Sequence, residues 1–391
     1  KVPSTAMNII DYLGSEFDSF DERPLGDVDS LVLACLSYYR LPDAARAART
    51  KRGVPLYKVF CAEWFDAMAA GLWDPKGLIQ LLTAAVASPR LRGVRLCSYV
   101  SETDDAEEKQ FAACTLRFPS GDAYVSFRGT DNSLVGWKED FNMAFETDVP
   151  SQRAAVAYLE RVARGVSGKL YVGGHSKGGN LAVYSAMNCS EQDYPGIKKV
   201  FSHDGPGFTA EAMASGDFAA RVGKVSKTVP ESSVIGMMFE QQEEYSVVCS
   251  TARGALQHDP FSWVVEGADF ARADKVSRSA VVIDQSLNQW FADMSREERA
   301  GFIDAMFQVL YASGQDTLAG VRGNLSETLP AMAAGFADLT DEQRGYLFRA
   351  LAGLAKAFTP DLELPSAGGL LATLDPRNAK MVNDSCSPST N

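Results

Sequence analysis

The hydrophobic pattern of this chain changes period twice. Over residues 1 to about 90, apolar side chains recur at helical intervals, most clearly at 28–38, 63–69 and 78–82, and this spacing predicts helices with one buried face. From residue 111 the period shortens to that of strands. Segments 111–118 and 123–128 flank a Pro119-Ser120-Gly121-Asp122 turn, which reads as a hairpin. A helix over about 151–165 then leads into an apolar strand at 169–173. Alternation continues with a strand at 199–203, a short helix near 209–222 and a strand at 224–229. A strand pair follows at about 233–239 and 244–249. Strands alternating with helices predict an α/β fold, a mostly parallel sheet with helices on both faces.

After about 275 the pattern is helical throughout. Ser295 stands three residues before Glu298, and Thr340 three before Gln343, the spacing of capping boxes. The polar tail from about 376 reads as frayed. The expected organisation is an N-terminal helical segment at 1–95 packed on a core at 96–275. A C-terminal helical segment at 276–391 follows and ends in a disordered tail.

One turn within the core carries candidate chemistry. The apolar Leu170-Tyr171-Val172 runs directly into Gly173-Gly174-His175-Ser176-Lys177-Gly178-Gly179-Asn180, and an apolar helical run follows. Gly174-x-Ser176-x-Gly178 between strand and helix is the spacing of a nucleophile elbow, which specifies an α/β-hydrolase-like sheet. The serine there takes strained backbone angles, and its neighbours must be small for strand and helix to pass. A phosphate-binding loop is excluded because Ser precedes Lys and no hydroxyl opens the helix. A dinucleotide fingerprint is excluded because no acidic residue follows a second strand at a suitable distance.

A serine nucleophile needs a base, oriented in turn by a carboxylate. The chain has three histidines: His175, His203 and His258. His175 sits inside the elbow and reads as structural support, and His203 ends a strand. His258 lies on the loop after the last core strand, where hydrolases of this type carry their base. Asp204, in Asp204-Gly205-Pro206-Gly207-Phe208, is the favoured acid; Glu231, after the next strand, is the alternative. For the oxyanion, the Lys177 amide is one candidate donor. Thr130, in Phe127-Arg128-Gly129-Thr130, is the other, with Asp140 holding its loop and Arg128 either supporting it or forming a salt bridge.

Composition narrows the partners. With a net charge of -12, the chain is a poor match for nucleic acid or anionic membranes. The acidic run at 101–108 reads as solvated loop. Seven scattered cysteines, none in a Cys-x-x-Cys pair, suit a reducing compartment. No apolar run is long enough to span a membrane. The expected location is cytoplasmic, with a removed leader before Lys1 left open, and the oligomeric state is left open too. The histidines and cysteines lack metal-ligand spacing, so neither a metal nor an organic cofactor is expected.

These motifs resemble known proteins. Arg128-Gly129-Thr130 with Trp137 and Asp140, followed by Gly174-His175-Ser176-Lys177-Gly178-Gly179, is similar to the class 3 lipases. Closer still is the Mbeg1-like family of uncharacterised bacterial α/β hydrolases. That resemblance rests on residues 7–13 and 29–33, the elbow, Asp204–Phe208 and Gln257-His258-Asp259-Pro260-Phe261-Ser262-Trp263. It implies a serine hydrolase of carboxylic esters, lipase- or esterase-like, acting on a small-molecule ester or lipid. The alternatives are a binding module on the same fold without turnover, or a thioesterase or peptidase using the same site. Two departures stand out. Lys177 replaces the usual elbow leucine, either to favour an anionic substrate or to snorkel to solvent. Pro230-Glu231-Ser232 replaces the Asp-x-Val-Pro that carries the acid in class 3 lipases.

Overall fold

The computed structural model describes residues 6–146, 148–214, 218–239 and 244–358. The tail expected to fray, with Cys386, lies outside them. The described residues form two compact units, one within Lys1–Asp284 and Gln315–Asn324, the other within Gln285–Gly314 and Leu325–Asn391.

The first unit is built on a mixed sheet. Its strands are β1 (Val54–Pro55), β2 (Arg95–Asp104), β3 (Lys109–Arg117), β4 (Ala123–Phe127), β5 (Leu170–His175), β6 (Ile197–His203), β7 (Val225–Pro230) and β8 (Tyr245–Val248). They lie side by side in chain order. The run from β4 to β8 is parallel, and β1 to β4 pair antiparallel. A short ribbon joins β9 (Val265–Glu266) to β10 (Asp269–Phe270), and β11 (Arg272–Ala273) closes the sheet edge against β8. The expected hairpin across 119–122 and the parallel core are both present.

Helices cover both faces because the central strands are apolar on both sides. Successive residues face opposite layers. Val125, Val172 and Val200 join one core with Leu159 of α6 (Pro150–Ala163) and Leu181 of α7 (Lys177–Asn188). Their neighbours Tyr124, Tyr171 and Phe201 join the other. N-terminal helices furnish that second layer: α1 (Ile9–Leu13), α2 (Asp27–Cys35), α3 (Phe65–Ala69) and α4 (Pro75–Ala87). A buried Arg90–Asp29 pair at 2.7 Å helps hold it, with Tyr12 donating its hydroxyl to the same carboxylate.

Two sequence expectations are corrected. Residues 101–104 are not loop but the exposed end of β2, where Glu102 pairs across from Phe111. This end of the ladder projects beyond the core, so its side chains are solvated and acidic without ceasing to be strand. Segment 233–239 is not a strand either. It makes a short turn at Ile235–Met237, because Ser233 and Gly236 are committed to a buried carboxylate.

The remaining helices are α5 (Leu134–Asn142), α8 (Ala210–Ala214), α9 (Phe218–Arg221), α10 (Arg278–Ala292), α11 (Arg296–Ala312), α12 (Leu318–Gly323), α13 (Leu325–Ala337) and α14 (Asp341–Phe358). In the second unit both expected capping boxes form: Ser295 Oγ accepts from Glu298 N, and Thr340 Oγ1 from Gln343 N. Trp290 donates its indole N–H to the Ala350 carbonyl in that unit's core.

Candidate active site

Ser176 sits where β5 ends and α7 begins, with φ 59° and ψ -133°. A non-glycine residue in this region costs on the order of 1–3 kcal/mol and is retained where the surroundings force it. The forcing contacts are backbone. A Cβ on Gly174 would lie 2.3 Å from the Gly178 backbone, and one on Gly178 would lie 2.2 Å from the Phe127 carbonyl. Only glycines let the helix start so close to β4 and β5.

Asp204 follows β6 at the same carboxyl edge of the sheet, also with positive φ (49°), and is fully buried. Its Oδ2 lies 2.6 Å from His258 Nδ1. The other oxygen accepts the Ser233 hydroxyl at 2.5 Å and the Gly236 N–H at 3.2 Å. A buried carboxylate needs such donors to offset lost hydration. Glu231, the alternative acid, makes no hydrogen bond to a histidine among the described residues. It accepts Ser277 N–H on its carbonyl.

His258 ends a short helical turn, Gly254–His258, with its side chain 31% exposed. The loop is pinned on both sides of it. Gln257 Oε1 accepts Ser232 N–H at 2.6 Å, and Trp263 donates its indole N–H to the Gln257 carbonyl at 2.8 Å. The His258 ring lies against that of His175, centroids 4.6 Å apart and planes tilted by 33°, and so sits beside the elbow. Ser176 Oγ and the His258 ring are not hydrogen-bonded to one another.

His203 accepts the Ser176 N–H on its carbonyl, but its ring takes no part in this arrangement. Its ring bonds Thr228 Oγ1 at 2.7 Å and Ser30 Oγ at 2.8 Å inside the sheet. His175 is buried between the Tyr38 hydroxyl (3.1 Å) and the His258 carbonyl (2.9 Å). Burial, reinforced by His258 nearby, holds its pKa well below the usual histidine range.

The loop after β4 faces the elbow. Thr130 donates its hydroxyl to Asp140 Oδ2 at 2.5 Å. Neither the Thr130 amide nor the Lys177 amide donates a hydrogen bond among the described residues. N–H groups without an internal partner are what a developing oxyanion requires. Burial pushes the Asp140 carboxyl up to about 6, against the pull of Lys177 and the Thr130 hydroxyl. Arg128 is buried against Asp131 at 3.5 Å and Ser101 Oγ at 3.5 Å. It braces the loop without reaching the serine's neighbours. Lys177 corrects the expectation for its side chain: it neither snorkels nor faces outward, but is 1% exposed and lies 2.5 Å from Glu139 Oε2.

Sequence reasoning missed Ser233, Gly236 and Tyr38, whose partners are distant in the chain and share no spacing rule with them. Among the described residues no group of three or more His, Cys, Asp or Glu is arranged to hold a metal ion. No helix among them is long and apolar enough to cross a membrane.

The parallel run of strands, the helix layers and the strand–serine–helix turn define an α/β-hydrolase-like fold. Within that class the chain belongs to the Mbeg1-like family, whose model matches residues 85–308. A comparison with curated proteins yields no match. A solved structure described as the crystal structure of M37 lipase is similar over 53% of this chain and 68% of that one, at 13% identity and a TM-score of 0.33.

Proposed function

We propose that the protein is a serine hydrolase of carboxylic esters. Ser176 is the nucleophile, His258 the base, and Asp204 the carboxylate that orients it. The observation that carries this reading is the 2.6 Å Asp204–His258 bond at the sheet edge where Ser176 holds its strained elbow conformation. Asp204 can only accept, so His258 Nδ1 carries the proton and Nε2 is left as the basic nitrogen.

Attack by Ser176 Oγ on the acyl carbonyl passes its proton to His258 Nε2, while the Lys177 and Thr130 amides bind the oxyanion. Collapse expels the alcohol, which takes that proton. Water, deprotonated by His258, then releases the acid and regenerates the serine. Proton transfer requires Oγ and Nε2 to close to about 3 Å, a contact that tightens on substrate binding in such enzymes. The open contact in the free protein is also what favours the second reading, a binding module without turnover.

Reaction with a fluorophosphonate probe separates the two readings. The hydrolase reading expects covalent labelling of the intact protein, lost in Ser176→Ala and strongly slowed in His258→Ala. It also expects turnover of a short-chain p-nitrophenyl ester. An intact protein that is neither labelled nor active is a binding module. A series of oxyesters, thioesters and peptides then separates esterase from thioesterase and peptidase.

A further inference from the structure

The residue after the serine carries its cation inward. Lys177 opens α7, yet its ammonium contacts Glu139 Oε2 at 2.5 Å, the Gln110 carbonyl at 3.1 Å and Asp140 Oδ1 at 3.5 Å. Glu139 Oε2, the Gln110 carbonyl and Gln110 Oε1 (3.5 Å) accept from the ammonium, which offsets the cost of stripping its water, while Asp140 Oδ1 is held by charge alone, without a hydrogen bond. Glu139 is equally committed: Oε1 accepts Ser151 N–H at 2.7 Å and Oε2 accepts Gln110 N–H at 2.9 Å. That one carboxylate therefore joins the start of α6, the start of β3 and the elbow helix.

The next residue completes a link. Asp140 holds the Thr130 hydroxyl, so contacts run unbroken from Lys177 through Asp140 to Thr130. Lys177 and Thr130 are the two residues whose amides are proposed above to bind the oxyanion. Their loops are separate in the chain, and oxyanion donors must hold their spacing to tenths of an ångström. A leucine at 177 would pack there with no charge to hold Asp140. Two carboxylates also surround the single ammonium, a local balance that repels an anionic substrate group.

We propose that the Lys177 side chain is a positioning residue that clamps the nucleophile elbow to the Thr130 loop and sets the spacing of the two oxyanion donors. It does not receive charge from the substrate. The proposal rests on the hydrolase reading above.

The test uses the full chain with Lys177→Met/Glu139→Gln, which removes both charges of the Lys177–Glu139 pair together and leaves Asp140, and Lys177→Arg, which keeps the cation in another shape. Active sites are first titrated with fluorophosphonate, so that misfolded protein is not counted. The kcat and KM for a p-nitrophenyl butyrate probe are then measured, with the Ki of a phenylboronic acid that forms a tetrahedral serine adduct. In the double variant kcat per titrated site should fall about 30-fold or more, the boronate Ki should weaken in step, and KM should stay within about 2-fold. Lys177→Arg should fall between wild type and the double variant in both kcat and Ki. A folded variant with kcat and Ki within about 3-fold of wild type overturns the clamp. So does a loss confined to the KM of a carboxylate-bearing ester, which would place the ammonium against substrate. If the double variant does not fold, Lys177→Arg alone decides, since a kcat loss without a matching Ki change rejects the proposal. Failure of wild type to react with probe, boronate or ester removes the hydrolase reading itself, and the clamp with it.

Discussion

His175 Nε2 lies 2.9 Å from the carbonyl oxygen of His258. A carbonyl only accepts, so Nε2 carries the proton, and the neutral ring accepts the Tyr38 hydroxyl at Nδ1. The depressed pKa of the buried ring keeps it in that neutral form. The histidine beside the serine thus holds the backbone of the histidine proposed as base. Replacing it with Phe keeps an aromatic ring, somewhat larger than imidazole, and removes both bonds. His175→Phe should lower kcat/KM about 10- to 100-fold through misplacement of His258, with the protein still folded. Ester kinetics beside a thermal melt check this, and unchanged kinetics would remove His175 from the positioning of the base.

The two candidate acids predict opposite outcomes. Asp204→Asn leaves the shape of the residue but cannot fix the His258 tautomer, and should lower kcat on the order of 10³-fold. Glu231→Gln should stay within about 3-fold, because its side chain makes no hydrogen bond to His258. Turnover of a p-nitrophenyl ester by both variants distinguishes them. A larger loss in Glu231→Gln than in Asp204→Asn reverses the assignment.

Acid should unfold this protein partly through His203. Burial pushes its pKa down to about 4, from 6.5 for an exposed ring. The folded-state value is depressed, so its contribution to stability is complete above about pH 6.5 and is lost as pH falls through about 4. Two and a half units correspond to roughly 3 kcal/mol. His175 acts with the same sign. Urea unfolding of wild type and His203→Gln between pH 7 and 4 should show a shallower decline in the variant, with a residual slope from His175. Parallel declines would mean that His203 does not titrate in this range.

Backbone crowding at the elbow predicts a folding defect rather than a kinetic one. Gly178→Ala places a methyl 2.2 Å from the Phe127 carbonyl, where neither strand nor helix can yield cheaply. Destabilisation of several kcal/mol is expected. Circular dichroism melts should show a Tm lower by 10 °C or more, on the order of what such a loss produces. A melt like that of wild type would show that the helix start can shift.

Much of this was legible in the chain before any coordinates. The glycine spacing around Ser176, set between an apolar strand and an apolar helix, pointed to the elbow because strand and helix can pass closely only beside small residues. The change from helical to strand period marked the hairpin and the parallel core. Acidic residues at 101–108 misled because the end of β2 projects into solvent while keeping its ladder to β3. The apolar run at 233–239 misled because Ser233 and Gly236 turn to satisfy Asp204.

By itself, then, the sequence determined the helical and strand segments of the parallel core and the turn at Ser176, since those follow from local spacing and backbone sterics. The tertiary structure alone decided that Asp204 and not Glu231 meets His258, that His175 grips the His258 carbonyl, and that Lys177 turns inward to Glu139. Each of those choices joins residues far apart in the chain. What brings them within bonding distance is the stacking of parallel strands, which no local pattern encodes, and the need of buried charge and buried N–H for partners.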